Sequence, residues 1–193
     1  MPQSAITILS ETILANDWSR LTKVKYQQEL PDGSIQTAER EVYNRGNGAV
    51  ILLYNLQKQT VILTRQLRIP TWFNGNKDGM MIEACAGLLD EVDPEDCIRR
   101  ETEEELGYTL KDVKKVMEAY MSPGSVTEIL YFFIAQYDEA MHTSEGGGLD
   151  KEQENIEVLE MSFNNALQMI TSGEIKDAKT IMLLQHLRMN GVL

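Results

Sequence analysis

Arg100, Glu101, Glu104 and Glu105 stand close together in the run GLLDEVDPEDCIRRETEEELGY, Gly87 to Tyr108, and their spacing sets a chemical problem. Asp93 and Pro94 supply an N-cap and a first helical residue, while Gly107 supplies the left-handed residue that ends a helix, so the punctuation predicts a helix over 94–106. At 100° per residue Glu101 and Glu105 share a face, with Glu104 beside them. Two carboxylates roughly 6 Å apart at an effective dielectric of about 20 repel by about 3 kcal/mol. A hard divalent cation with oxygen ligands offsets that repulsion, and Mg2+ is usually held by a few carboxylates plus the oxygens of a bound phosphate. A charge run alone is more often a solvated helix face carrying Arg–Glu pairs; the fixed Asp-Pro and Gly around this one argue for a site.

Gly87, Arg100, Glu101, Glu104, Glu105 and Gly107 together resemble the Nudix box, the signature of hydrolases that cleave nucleoside diphosphates linked to another group. The tail R-E-T-E-E-E-L-G-Y agrees at every acidic and glycine position. Three departures stand out: the loop between Gly87 and Arg100 is one residue shorter than in the commonest box, Asp93 fills the early acidic position, and Thr102 replaces an aliphatic residue. The shortened loop resembles the GDP-mannose hydrolase branch of the family.

Composition agrees with this reading. A chain of 193 residues with 42% hydrophobic and 25% charged residues can bury one substantial core. Eighteen basic against 30 acidic residues give a formal charge of −12, which speaks against nucleic acid or an anionic membrane as partner. A diphosphate enters such a protein only with metal. Cys85 and Cys97 offer no disulfide framework, CxxC motif or histidine partner and read as small core residues. With no signal peptide and no long apolar span recognisable, a reducing cytoplasm is the expected location.

The elements that must position the box follow from periodicity. Residues 1–47 alternate as a leading strand and a hairpin turned at Pro31-Asp32-Gly33, an antiparallel β extension too small to bury a core alone. Residues 48–193 form the expected catalytic domain. In it AVILLYN and TVILTRQLRI read as buried strands, MIEACAGLL leads into the box, and VKKVMEAYMS, ILYFFIAQYD and IEVLEMS read as later strands. NNALQMITSG and AKTIMLLQHLRMN read as amphipathic helices, EGGGLDKEQENIE as a mobile loop, and Met117, Met121, Met161, Met169, Met182 and Met189 as core filler. Strands interleaved with helices imply a mixed sheet covered on both faces, an α/β (α+β) fold. This agrees with the αβα sandwich that the Nudix resemblance implies.

The resemblance also implies roles. Glu101, Glu105 and the backbone carbonyl of Ala86 correspond to ligands of Mg2+, for which Mn2+ is a substitute, with Glu104 sharing or orienting a second ion and Arg100 holding the carboxylates. In the loop L-D-K-E-Q-E-N-I-E-V, either Glu152 or Glu154 is the general base and the other assists with metal; the sequence does not separate them. Arg68, in R-Q-L-R, corresponds to the arginine that grips the diphosphate, Lys179 to a late basic residue near the phosphates, and Gly87 to a substrate contact. Trp18 and Arg40 stand where the N-terminal segment supplies a base-stacking ring and a phosphate or ribose contact, although Trp18 reads equally well as strand packing. Glu128, after the turn Ser122-Pro123-Gly124, corresponds to a position facing the sugar, and the N-terminal strands imply a homodimer by exchange. The runs EVYNRGNG and Thr71 to Asn76 further resemble the GDP-mannose branch. The implied activity is Mg2+-dependent hydrolysis of a nucleotide sugar, GDP-mannose, to GMP and mannose 1-phosphate. The alternatives are an ADP-ribose pyrophosphatase and a nucleotide-sugar sensor, the intact carboxylate set speaking against the sensor.

Overall fold

A computed structural model describes residues 5–149 and 154–193, and the chain divides into two compact units. The first comprises the N-terminal residues to Asn47 together with Tyr120–Ile129. Three antiparallel strands form its sheet in sequence order: β1 (Ile6–Asn16), β2 (Arg20–Glu29) and β3 (Ile35–Asn44). The β2–β3 turn is built as its residues dictate. Gly33 takes φ +81°, and the Asp32 carboxylate accepts from Ser34 N at 2.9 Å and Ser34 Oγ at 2.6 Å. The β1–β2 register slips between Ile8 and Ser10 and again between Ile13 and Ala15. Every residue of β1 is exposed, Ile6, Ile8, Leu9, Ile13 and Leu14 included. Residues 120–129 join this unit by backbone bonds on Tyr43, whose N–H donates to Ser125 O (2.8 Å) and whose carbonyl accepts from Thr127 N (3.0 Å). No periodicity in the sequence announces that attachment.

The second unit holds β4 (Gly48–Asn55), β5 (Thr60–Leu67), α1 (Ile69–Phe73), β6 (Met80–Glu83), β7 (Cys85–Leu88), α2 (Pro94–Glu101), β10 (Glu157–Ser162), α3 (Phe163–Ser172) and α4 (Ala178–Met189), together with β8 (Lys114–Tyr120) and β9 (Ile129–Gln136) except for their end residues Tyr120 and Ile129. Its seven-stranded mixed sheet runs β10-β5-β4-β9-β8, with β6 on β5 and β7 on β4; β4 and β9 are parallel. The apolar run of β4 is buried on both faces. Ala49, Ile51 and Leu53 share a core cluster with Ile98 and Leu106 on one side, while Val50 and Leu52, equally buried, face the other way and α4 also packs on β4. Helices therefore cover both faces, as expected.

The sheet splays where the box begins. β4 and β5 pair only at Leu53–Asn55 against Thr60–Ile62; beyond that they part, and residues 80–88 enter between them. Met80–Glu83 pairs with β5 and Cys85–Leu88 with β4, so the segment changes neighbour at Ala84.

Two expectations need correction, and one short helix is additional. The helix begins as predicted, Asp93 Oδ1 accepting from Glu95 N at 2.8 Å, but it is α-helical only to Glu101 and continues over Thr102–Leu106 as a π turn. A π turn is a local widening common at functional sites. Gly107, at φ +77°, ends it, with Tyr108 N–H reaching back to Thr102 O at 3.3 Å. The short helix α1, opened by Pro70, lies where only a resemblance was read. None of the six methionines assigned to the core is fully buried, and Met189 is 83% exposed.

Candidate active site

Glu105 and Glu101 turn inward from the end of the helix against the splayed sheet. Glu105 is 2% exposed, and its Oε2 has no hydrogen-bond partner. Burial, with the charges of Glu101 and Glu154, pushes its carboxyl up to about 8, with Cys85 and Arg68 opposing. Glu101 is raised too, first by burial and then by Glu104 and Glu154, while Arg100, whose Nη2 donates to Glu101 Oε1 at 2.9 Å, opposes the rise. Arg100 Nε lies 4.0 Å from Glu104 Oε2. Gly87 is explained by contact, since a Cβ there would overlap the Glu101 carboxyl. Ala86 precedes it on β7, paired with Val50. Thr102, the departure from an aliphatic residue, is fully buried and satisfies its hydroxyl on Ile98 O at 2.6 Å.

These residues suit a hard divalent cation by donor chemistry: carboxylate oxygens, one of them buried and unpartnered. The cage is not closed, because among the described residues no three acidic, histidine or cysteine side chains form a metal-holding group. Glu101 is instead turned to Arg100.

Glu154 reaches the same cluster through a glycine-rich stem. Gly147 N–H donates to Glu105 O (2.8 Å), Gly148 N–H to Glu104 O (3.1 Å), and Thr143 N–H to Gly107 O (2.8 Å). The carbonyls at the end of the π turn thus hold the loop. Gly146, Gly147 and Gly148 all take positive φ, and a Cβ on Gly148 would press on the Glu154 side chain at 2.6–2.7 Å. Glu154 Oε2 accepts from Leu149 N at 3.2 Å. Glu152, the other candidate base, lies outside the described residues.

A second polar cluster adjoins the first. Arg68 donates to Glu83 from Nε (3.2 Å to each oxygen) and Nη2 (2.9 Å), and Lys179 Nζ donates to Glu83 (3.1 Å) and Asp177 (2.8 Å). Lys179 is therefore tied into this cluster and mostly withdrawn from solvent. Glu83 is the residue that sequence reasoning missed, and the signal was there: one acid inside the apolar run MIEACAGLL has to be paired when buried. Burial pushes its carboxyl up, but Lys179 and Arg68 outweigh this and hold it below the usual carboxylate range.

Cys85 and Cys97 are buried, as expected. Burial, then the neighbouring Glu105, raises the Cys85 thiol well above its ordinary value, and burial raises Cys97 to about 11, so neither is a nucleophile. His142 stacks on Tyr108, ring centroids 4.8 Å apart.

Trp18, Arg40 and Glu128 belong to the first unit, and the carboxylates of the box belong to the second. Trp18 sits between β1 and β2 and is 88% exposed, which removes the strand-packing reading. Arg40 lines an open cleft with Tyr120 and Pro123–Thr127, and Glu128 pairs with Arg45 at 3.6 Å.

One buried and one half-buried carboxylate, Glu105 and Glu101, on a helix entering a splayed mixed sheet are the arrangement that the box residues implied, and the chain belongs to the Nudix family: the NUDIX domain matches residues 44–184. The GDP-mannose pyrophosphatase NudK N-terminal domain matches residues 5–43. Among curated relatives, a GDP-mannose pyrophosphatase of Klebsiella pneumoniae subsp. pneumoniae is 52% identical over 97% of this chain and 94% of its own length. Another, of Cronobacter sakazakii, is 50% identical over 97% of each. A solved ADP compounds hydrolase, 19% identical, superposes with a TM-score of 0.70 over 97% of both chains and has the same fold. Among the described residues no helix is long and apolar enough to cross a membrane.

Proposed function

We propose that this protein hydrolyses the pyrophosphate bond of GDP-mannose to GMP and mannose 1-phosphate. The observation that carries this reading is the near full-length likeness to curated GDP-mannose pyrophosphatases, with an N-terminal segment matched to that enzyme's own domain. Mg2+ is the proposed ion, Mn2+ its substitute, held by Glu101, Glu105 and the Ala86 carbonyl with Glu104 alongside. When bound, the ion neutralises the charge of the diphosphate and polarises its phosphoryl oxygens. The unpartnered Glu105 oxygen and the raised carboxyls of Glu101 and Glu105 support this assignment, since a cation is what such oxygens lack.

The protein's residues supply the rest. Glu154 or Glu152 takes a proton from the attacking water, typically worth about 10²–10⁴ in rate. Arg68 and Lys179 orient the phosphates, and Gly87 keeps the backbone clear for Glu101 and substrate. Trp18 stacks on the base, Arg40 contacts a phosphate or ribose, and Glu128 faces the sugar.

The assembly proposed is a homodimer joined through residues 1–47. The exposed apolar residues of β1, an edge strand of its sheet, support it, because such an edge invites pairing with a second copy. Incubating the protein with GDP-mannose and ADP-ribose in parallel, with Mg2+ in 18O-labelled water, tests the activity. Release of GMP and mannose 1-phosphate, with label on one of them, is the expected result; cleavage of ADP-ribose alone would overturn it.

A further inference from the structure

We propose that Glu83 is a positioning residue that gathers Arg68 and Lys179 into a paired cationic clamp for the diphosphate. The inference rests on the proposed pyrophosphatase reading of the same site, and its parts come from three places in the chain. Arg68 follows β5, Glu83 ends β6, and Lys179 stands in the first turn of α4. The Glu83 side chain is only 4% exposed, against 40% for Arg68 and 15% for Lys179, so the acid lies beneath its two bases.

Stability alone does not explain the cluster. A buried ion pair roughly breaks even against its desolvation, and an apolar residue of similar size often serves as well. Lys179 is moreover a cation at the positive end of a helix dipole, where anions are favoured. Asp177 offsets that placement. It caps α4 through Thr180 N at 2.9 Å and also accepts from Lys179. The Thr180 hydroxyl accepts from Ala84 N at 2.7 Å, and Thr64 Oγ1 donates to the Glu83 carbonyl at 3.1 Å. Strand β6, strand β5 and the start of α4 are thereby locked where Glu83 sits.

Donor arithmetic supplies the function. Among the described residues, Arg68 uses Nε and one Nη2 proton of its five N–H groups on Glu83, which leaves the Nη1 pair and one Nη2 proton. Lys179 uses two of its three donors. The donors that remain belong to two side chains already immobilised, so a phosphoryl group pays less ordering entropy when it binds. The acidic neighbours make this matter. Arg68 lies within the electrostatic reach of Glu105, and a freely rotating guanidinium would fold onto those carboxylates rather than wait for substrate. One short segment therefore serves both halves of the site: Glu83 aims the cations, and Gly87, four residues on, makes room for Glu101.

The test uses Glu83→Gln in the full chain, read by steady-state kinetics on GDP-mannose and by calorimetry with methylenediphosphonate, a non-hydrolysable diphosphate probe lacking base and sugar, in Mg2+. The expected result is a roughly ten- to hundredfold rise in KM and a matching loss of probe affinity, with kcat and the half-saturating Mg2+ concentration within about threefold of the parent. If Glu83→Gln does not fold, Glu83→Asp, which keeps the charge one methylene short, is expected to give a smaller change in the same direction. Unchanged probe affinity in a folded variant overturns the proposal, as does a parallel fall in kcat with a shifted Mg2+ requirement, which would mark Glu83 as part of the metal site. If the parent binds the probe but leaves GDP-mannose intact, the substrate reading fails and the probe still decides the clamp.

Discussion

Glu105→Gln should make the metal-free protein more stable and the enzyme inactive. The folded carboxyl of Glu105 titrates near 8, against 4.5 for an ordinary glutamate. A raised acid binds its proton more tightly when folded, so it removes stability as pH rises from about 4.5 and ceases to remove more above about 8. That gap corresponds to a ceiling of roughly 5 kcal/mol, which relaxation and water entry reduce to something on the order of 2 kcal/mol. For a chain of this size each kcal/mol moves Tm by about 2–4 °C, so in EDTA at pH 8.5 the variant should melt about 4–8 °C above the parent. At pH 5, where the folded carboxyl is already protonated, the difference should nearly vanish. Saturating Mg2+ should reverse the order, since an ion at 100 times its Kd adds about 2.7 kcal/mol to the parent alone. Differential scanning fluorimetry across pH, with EDTA or Mg2+, provides the assay. A Tm difference independent of pH, or equal stabilisation of both proteins by Mg2+, would refute the reasoning.

Gly87→Ala should fold but lose at least about 100-fold in kcat/KM with a raised Mg2+ requirement, because its Cβ displaces the Glu101 carboxyl; kinetics with varied Mg2+ check this, and normal kinetics would contradict the contact. Glu154→Gln and Glu152→Gln should divide the work, the base costing about 10²–10⁴ in kcat at nearly unchanged KM; full activity in both and in the double variant would put the base outside this loop. Mixed Arg40→Ala and Glu105→Gln chains should regain activity that neither parent has if the homodimer shares its sites, and sedimentation should show a dimer; an active monomer would refute sharing.

Much of the fold was legible because it is written in local chemistry. The turn at Asp32-Gly33, the Asp93 cap, the Gly107 stop and the apolar runs of β4, β5 and β9 depend on neighbours within a few residues, and short-range hydrogen bonding and periodicity decide them. The carboxylate spacing on the helix was legible for the same reason, as helical geometry fixes which side chains share a face.

What the sequence could not decide was which distant groups meet. Glu83 looked like one acid in an apolar strand until the fold brought Arg68 and Lys179 to it from 15 and 96 residues away. The π turn cannot be read from Thr102–Leu106 alone, because it is matched by N–H groups of Gly147 and Gly148 some forty residues later. Trp18 was ambiguous between core and surface until the strands left it in solvent. Sequence by itself determined the class of chemistry, since residue type and helical phase set which charges gather. Tertiary structure decided how those charges are buried, paired or left wanting, because desolvation and long-range pairing exist only once the chain has closed on itself.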